Sequence, residues 1–413
     1  MSMIRQRAAE APGPVLVLAL LFSLAACGES RRRDSAPSVR DSAGVAIVES
    51  YEPAWQDGAG MTVWTEPILE IGVAEGSLEY QFTRIEGALQ TPDGRVVVAD
   101  GGSSEIRFFD PSGQHLFTIG RRGEAPGEYR YIDGLGYGPG DSIWVFDYGT
   151  RRFTVLDADG KLVRTLTLGP ELSNVGAVGR LADGSFVVRE YWSAAAQSGA
   201  IKMGLGRDPA AVALYTGDGD GPDTIGLFLG REVFIGTEGG RGVMSTPLFA
   251  RNTSAAVYGS DIWVGEQEAF EVGRYSAETG LQQLIRLPGL DLSVSEQDVE
   301  AARQARLASE PEGRREMARA HLAALEVPET RPAYEDLLVD PDGNLWVADY
   351  APHPNPPTTW RVFEADGALL GSVQVPDAFQ LYQIGDDWVL GVWRDDVGVE
   401  RVRVYSLLRE GVQ

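Results

Sequence analysis

Cysteine is almost missing from this chain of 413 residues, with Cys27 the only one. No internal disulfide can form, so packing alone must hold the fold. Thiol catalysis is excluded from everything beyond that position. Histidine is nearly as scarce: His115, His321 and His353 are scattered, and a histidine-built metal centre is not expected. Lysine occurs only as Lys161 and Lys202, and arginine supplies the other cations. The 36 basic residues face 60 acidic ones, a formal net charge of −24. Nucleic acid is thereby excluded as a partner, since its binding rests on basic contacts to phosphate. Cationic ligands, divalent ions and basic surfaces remain compatible. There is no phosphate loop and no G-x-S-x-G nucleophile motif. After Ala26 no apolar run is long enough to cross a bilayer.

What is present begins with Arg5 and Arg7, followed by an apolar run from Val15 to Ala26 of signal-peptide length. The junction Leu24-Ala25-Ala26-Cys27 resembles the lipobox of bacterial lipoproteins. The resemblance implies that residues 1–26 are a signal peptide and that Cys27 carries lipid, which would make the membrane a partner. Gly28 follows where an inner-membrane retention signal places Asp, so the outer membrane is the expected address. Residues 28–43 (GESRRRDSAPSVRDSA) lack apolar periodicity, and 27–44 is expected to be an acylated, flexible tether. Arg31 to Arg33 either touch headgroups or are simply solvated.

From residue 45 to the last residue, 413, the chain repeats itself. Val96–Asp100 (VVVAD), Ile143–Asp147 (IWVFD), Phe186–Glu190 (FVVRE), Ile262–Glu266 (IWVGE) and Leu345–Asp349 (LWVAD) match one another. Each follows a Gly/Asp/Pro turn such as Pro92-Asp93-Gly94 or Pro341-Asp342-Gly343, the chemistry of tight hairpins. Asp387–Val392 fits less well. Each unit continues into a further strand, another Gly-Asp turn and a short outer strand. Four antiparallel strands every 40 to 50 residues or so mark β-propeller blades. Six units can be counted. The last has only three strands, and Pro67–Gly72 has the form of the fourth. The expected fold is therefore all-β, a six-bladed β-propeller closed by an N-terminal strand, which removes a sheet edge.

The segments Ile119–Tyr129 (IGRRGEAPGEY) and Asp340–Val347 (DPDGNLWV) resemble the NHL-repeat-like six-bladed propellers of bacterial lipoproteins. The resemblance covers roughly residues 62–409 and implies the fold far more than any activity. One stretch breaks the pattern. In 293–326, Ser295 and Asp298 have capping-box spacing, and apolar residues recur at helical intervals around Pro311-Glu312-Gly313. It is expected to be a helical hairpin inserted between blades four and five, over the channel mouth.

Long connections all fall on one face of such a propeller: Arg121–Tyr131, Ser193–Pro209, Gly236–Pro247, the hairpin and Ala351–Thr359. A site is expected there, since function concentrates on elaborated loops of a rigid scaffold. The repeat places acids at one strand end in five blades, Asp100, Asp147, Glu190, Glu266 and Asp349. They either form a carboxylate ring for a divalent cation or cationic ligand, or accept backbone N–H groups of their own turns. The aromatics Tyr148, Tyr191, Trp192, Tyr350 and Trp393 are candidate contacts for a sugar or peptide, with blade packing as the alternative. Trp144, Trp263 and Trp346 are expected in the core. Asp218–Asp223 has calcium-loop composition without the spacing and reads as an acidic hairpin turn. Three functions follow. The first is a monomeric, envelope-anchored binding or scaffold module for a peptide, glycan or protein. The second is a metal-dependent (Ca or Zn) hydrolase or lyase of the six-bladed propeller type. The third is a purely structural lipoprotein.

Overall fold

The computed structural model describes residues 36–55, 60–191, 203–238, 241–352 and 355–410. Cys27, Trp192 and His353 lie outside them. The chain is mostly β, because each repeat alternates buried and outward residues between turns that reverse the chain. Sheet I holds Ile85–Gln90, Val96–Asp100, Glu105–Phe109 and His115–Ile119; sheet II holds Ile132–Gly138, Ser142–Asp147, Arg152–Leu156 and Leu162–Thr167. Sheet III holds Val175–Arg180, Phe186–Glu190, Pro209–Tyr215 and Asp223–Leu229. Sheet IV is built on Ser254–Tyr258, Asp261–Gly265, Glu271–Ser276 and Gly280–Arg286. Sheet V holds Leu337–Val339, Leu345–Ala348, Thr359–Phe363 and Leu369–Gln374. Sheet VI has three consecutive strands, Phe379–Ile384, Trp388–Arg394 and Glu400–Glu410. Its fourth is Gly60–Ile71, which runs antiparallel to Glu400–Glu410 with Ile71 opposite Val402 and Gly60 opposite Glu410.

The first strands touch in cyclic order from I to VI and back to I. That is the arrangement of a β-propeller. Apolar cores fill the spaces between successive sheets. Val97 and Phe108 of sheet I meet Ile143 and Val145 of sheet II, and Phe146 and Phe153 of sheet II meet Phe186 and Val188 of sheet III. Trp263 and Ile285 of sheet IV meet Val347 and Phe363 of sheet V, and Leu390 and Val402 of sheet VI meet Val96 and Phe109 of sheet I. Trp144, Trp263 and Trp346 are core residues, at most 6% exposed.

Three features depart from or add to the reading of the sequence. The expected tether ran to residue 44, yet Ser38–Ser42 and Val45–Glu49 form a hairpin, and the second strand adds in parallel to Gly280–Arg286 of sheet IV. The physical reason is burial of Ile47 and Val48, which are 6% and 3% exposed. The chain then runs along sheet V, where Ala54 and Trp55 donate their N–H groups to the carbonyls of Leu369 and Leu370 at 3.0 and 2.7 Å. Residues 38–55 and 60–71 thus strap the outer strands of sheets IV, V and VI. Second, segments read as loops, within 193–209 and 236–247, contribute to a small sheet of Gly204–Gly206, Val233–Glu238 and Arg241–Ser245.

The third feature is a pair of helices between sheets IV and V, α1 (Glu296–Ala308) and α2 (Arg315–Ala324). A complete capping box starts α1: Asp298 N–H donates to Ser295 Oγ at 3.2 Å, and Ser295 N–H donates to Asp298 Oδ2 at 2.9 Å. Pro311 separates the two helices. Ala302, Leu322 and Leu325 pack on Leu248 and Phe249, joined by Phe234 of the small sheet and by Tyr350. Tertiary packing of this kind is what holds short helices. Asp218 and Asp220 lie in the turn between Pro209–Tyr215 and Asp223–Leu229.

Candidate functional site

The repeated carboxylates do not converge on one centre; each is spent locally. Asp100, fully buried, accepts the N–H groups of Arg84 at 3.0 Å, Thr83 at 3.3 Å and Gly102 at 3.1 Å, and pairs with Arg107 at 3.3 Å. Asp147 accepts from Arg130 N–H, from Tyr131 N–H at 3.3 Å and from Thr150 N–H at 2.8 Å. Glu190 accepts from Ser173 N–H at 2.8 Å and Ala211 N–H at 3.0 Å. Glu266 accepts from Leu229 N–H at 2.6 Å, and Asp349 pairs with Arg361 at 2.6 Å. In sheets I to III these acids fasten the strand end to the linker that enters the same sheet. These bonds are of the backbone-acceptor kind in sheets I to III, while Asp349 is engaged by a side chain. Two residues the repeat did not flag do the same work. Gln267 Oε1 accepts from Asn252 N–H at 2.8 Å, and Glu400 accepts from Ile85 N–H at 2.7 Å across the ring closure. Among the described residues no three His, Cys, Asp or Glu side chains are grouped to share a metal ion.

The aromatic candidates also separate. Tyr350 stands 6.2 Å from Phe249, centroid to centroid, on the helix-covered side. Tyr191 packs against the first strand of sheet III, where a Cβ at Gly176 would stand 2.5 Å from the Tyr191 hydroxyl. The Arg189 guanidinium lies 5.2 Å above the Tyr191 ring. Tyr148, by contrast, bonds Asn174 Oδ1 at 2.9 Å on the surface. Trp393 is covered by the Arg403 guanidinium at 3.7 Å within sheet VI.

A cavity of about 580 Å³ opens where the helices cross the propeller face. Its walls come from four places. Ala302, Arg306 and Ser309 belong to α1 and its C-cap, Pro247 to Asn252 precede sheet IV, Glu335 and Asp336 enter sheet V, and Tyr350 to Pro352 leave its second strand. Arg189 and Arg231 complete it. The volume suits a small molecule or the end of a chain.

Beneath the mouth the channel is acidic. Glu86, Asp133, Glu335 and Asp336 stand at the starts of the innermost strands of sheets I, II and V. Burial pushes Asp133 up to about 6, and Glu86 on the neighbouring first strand adds to the rise while Arg189 opposes it. Burial likewise raises Glu335 to about 7, against one hydrogen bond from Ala351 N–H. Glu86 and Asp336 are raised by burial too. Near neutral pH, Glu335 is thus held between its protonated and ionised forms. Asp133 Oδ2 is buried without a hydrogen-bond partner among the described residues. Arg189, Arg231 and Arg306 line the same cavity. Desolvation, together with Arg189 and Arg306, depresses Arg231, although its side chain still reaches solvent. Clusters of perturbed groups in a cleft are what binding sites contain. The signals missed in the sequence were Arg189, where the other matched strands carry Ala99, Phe146, Gly265 or Ala348, and the acids beside the first strands.

The class these observations define is a β-propeller with a helix-roofed cavity at one end of its channel. No protein-family model matches the chain, and no curated protein matches it. Among solved structures it is similar to a member of the DUF4221 family from Bacteroides vulgatus, with TM-score 0.49, 12% identity and coverage of 85% of this chain and 99% of that one. It is also similar to a putative exported protein from Bacteroides fragilis, with TM-score 0.47, 12% identity and coverage of 88% and 99%. A third is a gluconolactonase from Xanthomonas campestris, with TM-score 0.41, 12% identity and coverage of 79% and 87%.

Proposed function

We propose that this chain is an envelope-anchored, six-bladed β-propeller lipoprotein of NHL-like type. In this reading it is a binding module that takes its ligand, a peptide, a glycan or the exposed end of a protein, at the helix-roofed channel mouth. The helical pair 293–326 is an insertion that shapes this mouth. The observation that carries the reading is the cavity itself: rigid sheets supply its floor, and α1, the sheet V linker and the proline-rich segment after Tyr350 supply its walls. The alternative of a metal-dependent hydrolase or lyase needs carboxylates free to coordinate, and Asp100, Asp147 and Glu190 are occupied by backbone N–H groups.

Ser309 tests the site. It is exposed at the C-cap of α1 and lines the cavity. In Ser309→Trp the indole fills the mouth while the fold is kept. Saturation-transfer NMR with short peptides and oligosaccharides is expected to show binders of the parent chain that the plugged variant loses. Binders retained by Ser309→Trp would place the site elsewhere.

The anchor has its own test. Cys27→Ser is expected to move the protein from the membrane fraction to the soluble envelope fraction and to abolish palmitate labelling. Unchanged membrane association with continued labelling would reject the lipobox.

A further inference from the structure

The cavity wall carries charge of the sign the protein otherwise avoids. In a chain with 60 acidic residues, arginines are expected to find carboxylate partners, and many do. Arg251, on the same wall, pairs with Glu232 at 3.0 Å and Glu268 at 3.6 Å. Three neighbours do not. Arg189 donates to the Thr253 carbonyl and covers the Tyr191 ring, but has no carboxylate within ion-pair distance among the described residues. Arg231 and Arg306 also line the cavity, and no described side chain forms an ion pair or hydrogen bond with either guanidinium.

The acids on the same wall form no ion pair with them among the described residues, although Arg189 lies near enough to Asp336 to oppose the rise of its carboxyl. Glu310 is turned to Arg314, at 4.0 Å. Glu335 accepts from Ala351 N–H at 3.0 Å, and Asp336 accepts from Leu337 N–H at 2.9 Å. Buried, ionised carboxylates are disfavoured there, and both groups hold their protons to higher pH than usual. Guanidiniums gathered in one recess repel one another and are costly to keep together unless an anion joins them. Their planar donors match carboxylate, sulfate and phosphate oxygens. Beside them lie the Phe249 and Tyr350 rings and the prolines Pro247, Pro332 and Pro352, an apolar wall for the body of a ligand.

We infer that the channel mouth is a receptor for a small organic anion, its acidic group held by Arg189, Arg231 and Arg306 and its body laid against Phe249 and Tyr350. This rests on the reading that the mouth is the binding site, and it names the ligand's chemistry.

Paired probes of one shape separate the two ideas. Glucuronate, glucose 6-phosphate and glucose 6-sulfate are titrated calorimetrically into the full chain, each against neutral glucose. The charged members are expected to bind and glucose not to, with affinity falling as salt rises. In Arg231→Gln/Arg306→Gln the charged probes should weaken by about tenfold or more, since losing a charge-assisted hydrogen bond is worth more than the ~1.4 kcal/mol that tenfold represents. Both side chains reach the cavity, so an unchanged unfolding temperature serves as the folding control. The tightest probe tells which of the three acidic groups the site is built for. Equal binding of charged probes by parent and double variant overturns the inference, as does no charged probe binding at concentrations on the order of 10 mM. If neutral and charged probes bind alike and Ser309→Trp blocks both, the mouth is the site and the anion assignment alone is wrong. If Ser309→Trp blocks nothing, the site reading falls with it.

Discussion

Removal of residues 60–71 is expected to leave a protein that aggregates or unfolds without a cooperative transition. Among the described residues that segment is the only partner for the outer edge of Glu400–Glu410 in sheet VI. It also buries Met61, Val63 and Ile71, which are 6%, 7% and 1% exposed. Burial of such side chains contributes roughly 1.5–3 kcal/mol each, before the lost strand pairing is counted. The whole stability of a folded chain is only about 5–15 kcal/mol. The deletion also bares a long strand edge, a template for association with other copies. Ile68, 62% exposed on the same strand, is the control: Ile68→Ser should change stability by no more than about 0.5 kcal/mol. Thermal unfolding and size-exclusion chromatography read both. A deletion variant that stays monomeric with the parent's melting temperature contradicts ring closure by this strand.

Asp100→Ala is the second large effect. The carboxylate sits at 0% exposure with three backbone N–H groups and Arg107 as partners. Removing it leaves buried N–H groups without their acceptor, while Arg107 keeps its pair with Glu105 at 2.9 Å. Each buried donor left unsatisfied costs about 1–3 kcal/mol. Asp349→Ala should cost far less, about 1 kcal/mol or below, because its pair with Arg361 is roughly one-third exposed on each side. The contrast discriminates between the two roles the repeat allowed. A structural staple predicts a large loss of stability with ligand binding unchanged in the surviving folded protein. A ligand-binding ring predicts lost binding with little change in denaturant midpoint.

Where the sequence was legible, the reason is periodicity. The matched segments repeat both a turn and an alternating apolar strand, so Val96–Asp100 and Phe186–Glu190 come out with the expected ends. Ser295 and Asp298 located the start of α1 for the same local reason. The hairpin 38–49 was not legible. Its first strand is exposed throughout, and its second is ordered by sheet IV, far away in sequence. The small sheet that includes Val233–Glu238 is also set by contacts to distant segments, among them Leu248 and Phe249. The site was the least legible part. Aligning the second strands drew attention to Asp100 and Asp147, whose recurrence reflects a recurring backbone need. Arg189, Arg231 and Arg306 recur nowhere; they meet only because a linker and an inserted helix fold over one part of the ring. Glu266 illustrates a one-residue offset: its expected task falls to Gln267, while Glu266 itself reaches Leu229 in sheet III.

The strap formed by residues 38–55 and 60–71 gives the ring a mechanical order. It touches sheet IV through Val45–Glu49, sheet V through Ala54 and Trp55, and sheet VI through Gly60–Ile71. Tension on the chain ahead of Ser38 therefore cannot reach the closing strand directly. It must first peel a hairpin of two five-residue strands, then lift the stretch over sheet V, and only then load the long strand that shuts the ring. The weak attachments fail before the strong one, so the strap acts as a series of fuses, and a tug on the leading end is dissipated before the propeller opens.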